Sequence, residues 1–83
     1  MIELTQMQSG KLIAKAMLTL SEMNGSSPIT TAVVEGITEE QLRDGIIASD
    51  CTKMPPETHI RVELIEVKDR GSDGLVITVR LHR

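Results

Sequence analysis

The absence of every aromatic residue is the strongest constraint on how this chain can fold. None of its 83 residues is Phe, Tyr or Trp, so any core must be built from Leu, Ile, Val, Ala and the five Met residues. A chain of this length is expected to form one domain and to bury only about 60 to 65% of the surface that its unfolded form exposes. A stable monomer must therefore use nearly all of its apolar side chains, and self-association is a natural way to bury more.

Composition also bears on the choice of partner. Proteins that bind single-stranded nucleic acids stack bases on aromatic rings, so we expect no single-stranded partner. The net charge of −3 gives no overall positive field for a polyanion. The charge is uneven, because residues 1 to 50 carry three basic and seven acidic side chains, whereas residues 51 to 83 carry six basic and five acidic ones. Any contact with DNA is therefore expected in the C-terminal third.

Cysteine content and hydropathy predict a cytoplasmic location. Cys51 is the single cysteine, so the chain can form no internal disulfide and fits a reducing compartment. The first residues lack the basic and apolar regions of a signal peptide, and no apolar run approaches the ~18 residues of a membrane span. We expect no contact with a membrane.

The clearest local pattern lies in the last third of the chain. Residues 60–67 and 75–81 are rich in β-branched side chains, and they flank a turn-forming stretch that ends in Gly71-Ser-Asp-Gly74. This pattern predicts an antiparallel hairpin over residues 60–82.

The apolar residues of this hairpin are out of phase. With Val67 opposite Leu75, they fall on both faces, which leaves two alternatives. A β-bulge near Leu64 and Ile65 would bring both sets to one side. Otherwise the hairpin is covered on both faces, and its second face is a dimer or partner surface. That second face consists of Ile60, Val62, Leu64 and Val76.

Three short helices are predicted before the hairpin. A T-x-x-Q capping box at Thr5 and apolar residues at helical spacing between Ile13 and Met23 predict a first helix that ends near Met23. It begins either at Thr5 or, because Gly10 weakens the first part, at Lys11. A second, shorter helix is predicted from Thr30 or Thr31 to Glu35. A third begins at a T-x-x-Q capping box and runs over residues 39–48. The expected fold is therefore α+β, in a single domain over residues 1–83 with a helical part (5–49), a connector (50–59) and the hairpin (60–82).

This element order, together with the stretch TTAVVEGITEEQLRDGI, resembles a winged-helix or helix-turn-helix domain. The resemblance implies a small regulator of transcription whose third helix enters the major groove of double-stranded DNA and whose wing contacts the backbone. The residues that it implies in the groove are Thr38, Glu40, Gln41, Arg43 and Asp44. Those that it implies at the wing tip are Lys68 and Arg70.

A second hypothesis is an acidic protein-interaction module. Such a protein would act as an adaptor or inhibitor, of the kind that phages and mobile elements encode, and would dimerise through its hairpin. The acidic third helix and the two-sided apolar hairpin favour this alternative.

Catalysis has little support in the sequence. Cys51, His59 and His82 are the only thiol and imidazoles, and nothing in their spacing brings a nucleophile and a base together. A metal site would need more convergent ligands than these. We therefore expect a protein that is not an enzyme and that binds neither a metal nor a cofactor.

Overall fold

Strands make up most of the fold. A computed structural model of the chain describes residues 1–16, 23, 26–52, 54–55 and 57–83. Within those residues there are six β-strands, one α-helix and a 3-10 turn over Gly71–Asp73. In chain order the strands and the helix are β1 (Ile2–Gln6), β2 (Leu12–Ala16), β3 (Ile29–Val34), α1 (Glu39–Arg43), β4 (Ile46–Asp50), β5 (Glu57–Asp69) and β6 (Leu75–His82).

The strands form one antiparallel sheet in the order β2-β1-β4-β5-β6-β3. β2 and β3, at the two ends of this order, lie next to each other, so the sheet curls into a nearly closed barrel. The connection that contains α1 carries the chain from β3 at one end of the order to β4 in its interior. The predicted α+β fold and the winged-helix resemblance are therefore wrong: this is a small all-β domain.

The first predicted helix is wrong because a β-bulge imitates helical spacing. Leu4 pairs with Ala14 and Thr5 pairs with Leu12, so Ile13 is an extra residue in β2. The bulge shifts the alternation of the strand, and Ile13 and Ala16 are both buried although they are three residues apart. Residues 17–22, which complete the predicted helix, lie outside the described residues.

The second predicted helix is also a strand. Its sequence is rich in β-branched residues, which favour extended backbone. β3 pairs with β6 along its whole length, from Ile29 opposite Arg80 to Val34 opposite Leu75. This long-range pairing outweighs a helical tendency that was weak over so short a stretch.

The capping box at Thr38 is confirmed, but the helix that it begins is half as long as predicted. The Thr38 hydroxyl accepts a hydrogen bond from the Gln41 backbone at 3.1 Å, and the Gln41 side chain accepts one from the Thr38 backbone at 2.9 Å. α1 nevertheless ends at Arg43, because Gly45 adopts a φ of +138° and the β-branched residues after it form β4. The connector is correspondingly shorter than 50–59, since β5 already begins at Glu57.

The hairpin is confirmed, and a β-bulge accounts for the out-of-phase apolar residues of β5. Leu64 pairs with Val79 and Glu66 pairs with Thr78, so Ile65 is the extra residue of β5. On either side of it, Leu64 and Val67 both pack against the core. The assumed pairing of Val67 with Leu75 was wrong by two residues, since Val67 lies opposite Ile77.

The core lies inside the curled sheet and is closed at one end by α1. Its buried apolar side chains are Ile2, Leu4, Ile13, Ala16, Met23, Val34, Ile37, Leu42, Ala48, Ile60, Ile77, Val79 and Leu81. Gln6 is buried among them with its amide satisfied: it donates to the Gln41 carbonyl at 3.1 Å and accepts from the Ser9 backbone at 2.7 Å. This one side chain joins the β1–β2 turn to α1.

Two glycines of the hairpin turn provide a test of the fold. Gly71 and Gly74 both have positive φ, but a Cβ at Gly71 would meet nothing within 4 Å, whereas one at Gly74 would lie 2.6 Å from the Val34 carbonyl oxygen. We expect Gly71→Ala to lower the free energy of unfolding by about 1 kcal/mol and Gly74→Ala to lower it by about 3 kcal/mol. Urea denaturation of both variants measures this, and equal losses would contradict the close approach of the turn to β3.

Candidate functional site

The long strand β5 changes neighbours part-way along its length. Its first residues pair with β4, at Glu57 opposite Asp50 and at Ile60 opposite Ala48. Within the described residues this ladder does not continue past Ile60, while residues 61–69 pair with β6 on their other side. One edge of β5 therefore runs beyond Ile60 without a strand partner.

A solvent-open groove follows this edge. Its larger part has a volume of about 570 Å³ and is lined by Met7, Ile46, Ile47, Thr58, Ile60, Arg61, Val62, Glu63 and His82. A smaller depression of about 220 Å³ continues it, shares Ile46 and Val62, and adds Leu42, Arg43, Gly45 and Leu64. We call the two together the β4–β5 groove. It spans the gap where the two strands have separated.

The floor of the groove is apolar, and Met7 forms its outer rim. The Met7 backbone donates a hydrogen bond to the Gly45 carbonyl at 3.0 Å. Its side chain is 53% exposed and crosses over Gly45, where a Cβ would lie 2.7 Å from the methionine methyl. The absence of a side chain at Gly45 therefore leaves room for the Met7 side chain. The flexible thioether of Met7 can adapt to an apolar ligand.

The opposite wall is polar. The His82 Nε2 lies 3.0 Å from a Glu63 carboxylate oxygen, and the Arg80 guanidinium lies 4.0 Å from the same oxygen. The hydrogen bond to His82 is the largest cause that lowers the pKa of Glu63 below its ordinary value of 4.5, and the positive charges of Arg80, His82 and Arg61 act in the same direction.

The other nitrogen of His82 faces Ser27. The distance from Ser27 Oγ to His82 Nδ1 is 3.2 Å, so Ser27, His82 and Glu63 form a hydrogen-bonded chain in the order of a hydrolase triad. The neighbouring backbone donor, the N–H of Leu81, is bonded to the Pro28 carbonyl at 2.9 Å and does not point to a reacting oxyanion. Together these bonds fasten the segment around Ser27 to β6.

Cys51 lies apart from the groove. It is exposed and free, and desolvation, followed by a hydrogen bond that the thiol donates to the Glu3 carboxylate, raises the pKa of that thiol. A thiol with a raised pKa supplies little thiolate for nucleophilic attack at neutral pH. Among the residues that the structure describes, no group of three or more His, Cys, Asp or Glu side chains is arranged to hold a metal ion.

The residues implied as DNA contacts lie at α1 and at or beside the hairpin turn, and four of them bind neighbouring side chains. Thr38 and Gln41 form the capping box, Arg43 pairs with Glu39 at 3.2 Å, and Lys68 pairs with Glu66 at 3.3 Å. The role of a recognition helix is lost with the winged-helix fold, because α1 has only five residues and sits at the end of a β-barrel. The other implied contacts, Glu40, Asp44 and Arg70, are exposed.

Three of the four residues predicted as a dimer or partner surface line the β4–β5 groove. Ile60 is buried in its floor, and Val62 and Leu64 are half-buried. Val76 lies elsewhere, opposite Val33 on the outer face of the sheet. The sequence did not indicate Met7, Ile47, Arg61 and His82 as parts of one site, because the four residues lie far apart in the chain.

Comparisons with known proteins leave the geometry as the sole guide to function. No family model, no curated protein and no solved structure matches the chain. Within the described part of the chain, none of the helical segments has the length and apolar character needed to cross a bilayer.

The bond between Glu63 and His82 predicts a loss of stability in acid. Because the folded-state pKa of Glu63 is depressed, its contribution is fully present above pH 4.5 and is lost as the pH falls through that lower pKa. We expect the difference in unfolding free energy between the protein and Glu63→Gln to shrink as the pH falls below 4.5, as measured by urea denaturation. In a His82→Ala background the difference should be smaller throughout, and an unchanged difference there would contradict the assignment.

Proposed function

We propose that this chain is a protein-interaction module that binds an extended segment of a partner protein along the unpaired edge of β5. The observation that carries the proposal is the separation of β4 from β5 after Ile60, which leaves residues 61–69 paired on one side only. An unpaired strand edge is a template for the addition of a further strand, because its N–H and C=O groups are already aligned.

The groove beside this edge supplies what an added strand needs besides hydrogen bonds. Successive side chains of an extended peptide point to opposite faces, so alternate ones would enter the gap between β4 and β5. There they would meet Ile46, Ile47 and Val62, with Met7 across the rim. Main-chain bonds would provide affinity, and the apolar floor would select the side chains that enter it.

A binding role fits the remaining features of the site. The Ser27–His82–Glu63 chain stabilises the wall of the groove, and we assign it no catalytic step. A cytoplasmic location is part of the proposal, supported by the free and exposed thiol of Cys51.

The proposal predicts that linear peptides bind at the rim formed by Met7. Peptides of about ten residues selected from a phage-displayed library are the probes, and fluorescence anisotropy gives their dissociation constants. We expect Met7→Asp to weaken binding about tenfold, or about 1.4 kcal/mol, because it places a charge against the apolar side chain of the ligand.

Val33→Asp is the matched control. Val33 is 61% exposed, much like Met7, but it lies on the outer face of β3. We expect it to leave the affinity within about twofold. Weakening by Val33→Asp with no effect of Met7→Asp would move the binding surface to the outer face and overturn the proposal.

Amide exchange tests the added strand directly. Bound peptide should slow exchange of backbone amides within residues 61–69, because those on the free edge gain hydrogen-bond acceptors. Sedimentation of the free protein separates a second copy of the chain from a foreign segment as occupant. A stable dimer that peptides do not displace would assign the edge to self-association and would contradict the proposal.

A further inference from the structure

A third depression adjoins the β4–β5 groove at its polar wall. It has a volume of about 380 Å³ and is lined by Met23, Ser26, Ser27, Arg61, His82 and Arg83. Arg61 and His82 belong to both the depression and the groove, so the two are continuous. We call this depression, which meets the groove at Arg61 and His82, the arginine pocket.

The arginine pocket contains two arginines that form no ion pair within the described residues, although the charge of Arg61 acts on the nearby Glu63 carboxylate. Arg43 pairs with Glu39 and Arg80 lies beside Glu63, but neither Arg61 nor Arg83 forms an ion pair in the described part of the chain. Nor is any carboxylate side chain among its lining residues. The closest acidic group of the groove, Glu63, is already bonded to His82.

Two hydroxyl groups complete the pocket. Ser27 is bonded to His82 through its Oγ, and the Ser26 backbone N–H donates to the Met23 carbonyl at 2.9 Å. Guanidinium and hydroxyl groups are the donors that recognise an oxyanion, and a guanidinium can bind a carboxylate through two parallel hydrogen bonds.

We infer that the partner segment carries an acidic side chain, Asp or Glu, which binds in the arginine pocket while the segment lies along β5. The inference rests on the proposed function and adds the chemistry of the partner. We take a carboxylate as the occupant because Asp and Glu are the acidic groups of an unmodified segment, and a carboxylate can accept two parallel hydrogen bonds from one guanidinium.

The local charge runs against that of the whole molecule. The net charge is −3, so an acidic partner is repelled by most of the surface and attracted at this corner. This contrast in charge would direct the acidic segment to the arginine pocket rather than to other parts of the surface.

The test uses the peptides selected for groove binding. We expect them to be enriched in Asp and Glu at one position, and we expect the change of that residue to Asn or Gln to weaken binding about tenfold. Arg61→Gln should weaken binding by a similar factor and should flatten its dependence on salt, whereas Arg61→Lys should retain part of the affinity because it keeps the charge. Arg70 lies at the hairpin turn, away from the groove and the arginine pocket. Arg70→Gln is therefore the control and should change the affinity for the peptide little.

The outcomes separate the two proposals. Loss of binding with Met7→Asp but not with Arg61→Gln would overturn the acidic partner and leave the peptide-binding function intact. Insensitivity to Met7→Asp would overturn the function and this inference with it. Tighter binding of a peptide with phosphoserine in place of the acidic residue would overturn the preference for a carboxylate.

Discussion

The fold depends on β5, a single strand that pairs with two neighbouring strands, β4 and β6. β5 is 13 residues long, whereas β4 is 5 residues long, so β4 can pair with only part of it. Beyond Ile60 the strand is held from one side by β6. The bulge at Ile65 keeps its apolar side chains turned toward the core on both sides of the extra residue. The gap beside β5 begins where β4 separates from it after the pair of Ala48 with Ile60, and the groove is that gap.

Some local signals in the sequence predicted local structure correctly, whereas the capping box at Thr5 and the helical pattern after it were wrong, because Thr5 lies in β1 and residues 12–16 form β2. The hairpin, its phase-correcting bulge and the capping box at Thr38 all depend on residues close together in the chain, and all three are present. The prediction failed where distant pairing decides. In β2 the bulge at Ile13 makes buried residues recur three apart, a spacing that a helix shares, and only the register against β1 distinguishes the two.

The site could be anticipated only in part for the same reason. Alternation along β5 identified Ile60, Val62 and Leu64 as apolar residues in need of a neighbour, and the charge count directed attention to the C-terminal third, where Arg61 and Arg83 lie. Met7 and Ile47 gave no such signal. They reach the groove because β1 pairs with β4, with Thr5 opposite Ile47, and that register is not encoded in any short stretch.

The two walls of the groove differ in stiffness. The β5 wall is anchored by a continuous ladder to β6, whereas the Met7 rim is held by its own bond to Gly45, and the adjacent Gln6 is tied to α1 through its amide. Opening the groove by moving the rim would break a few hydrogen bonds and leave the ladder untouched. The gap can therefore widen or narrow by movement of the Met7 rim alone, while the β5 wall keeps its position. Segments with side chains of different bulk could then be accommodated on the same rigid edge.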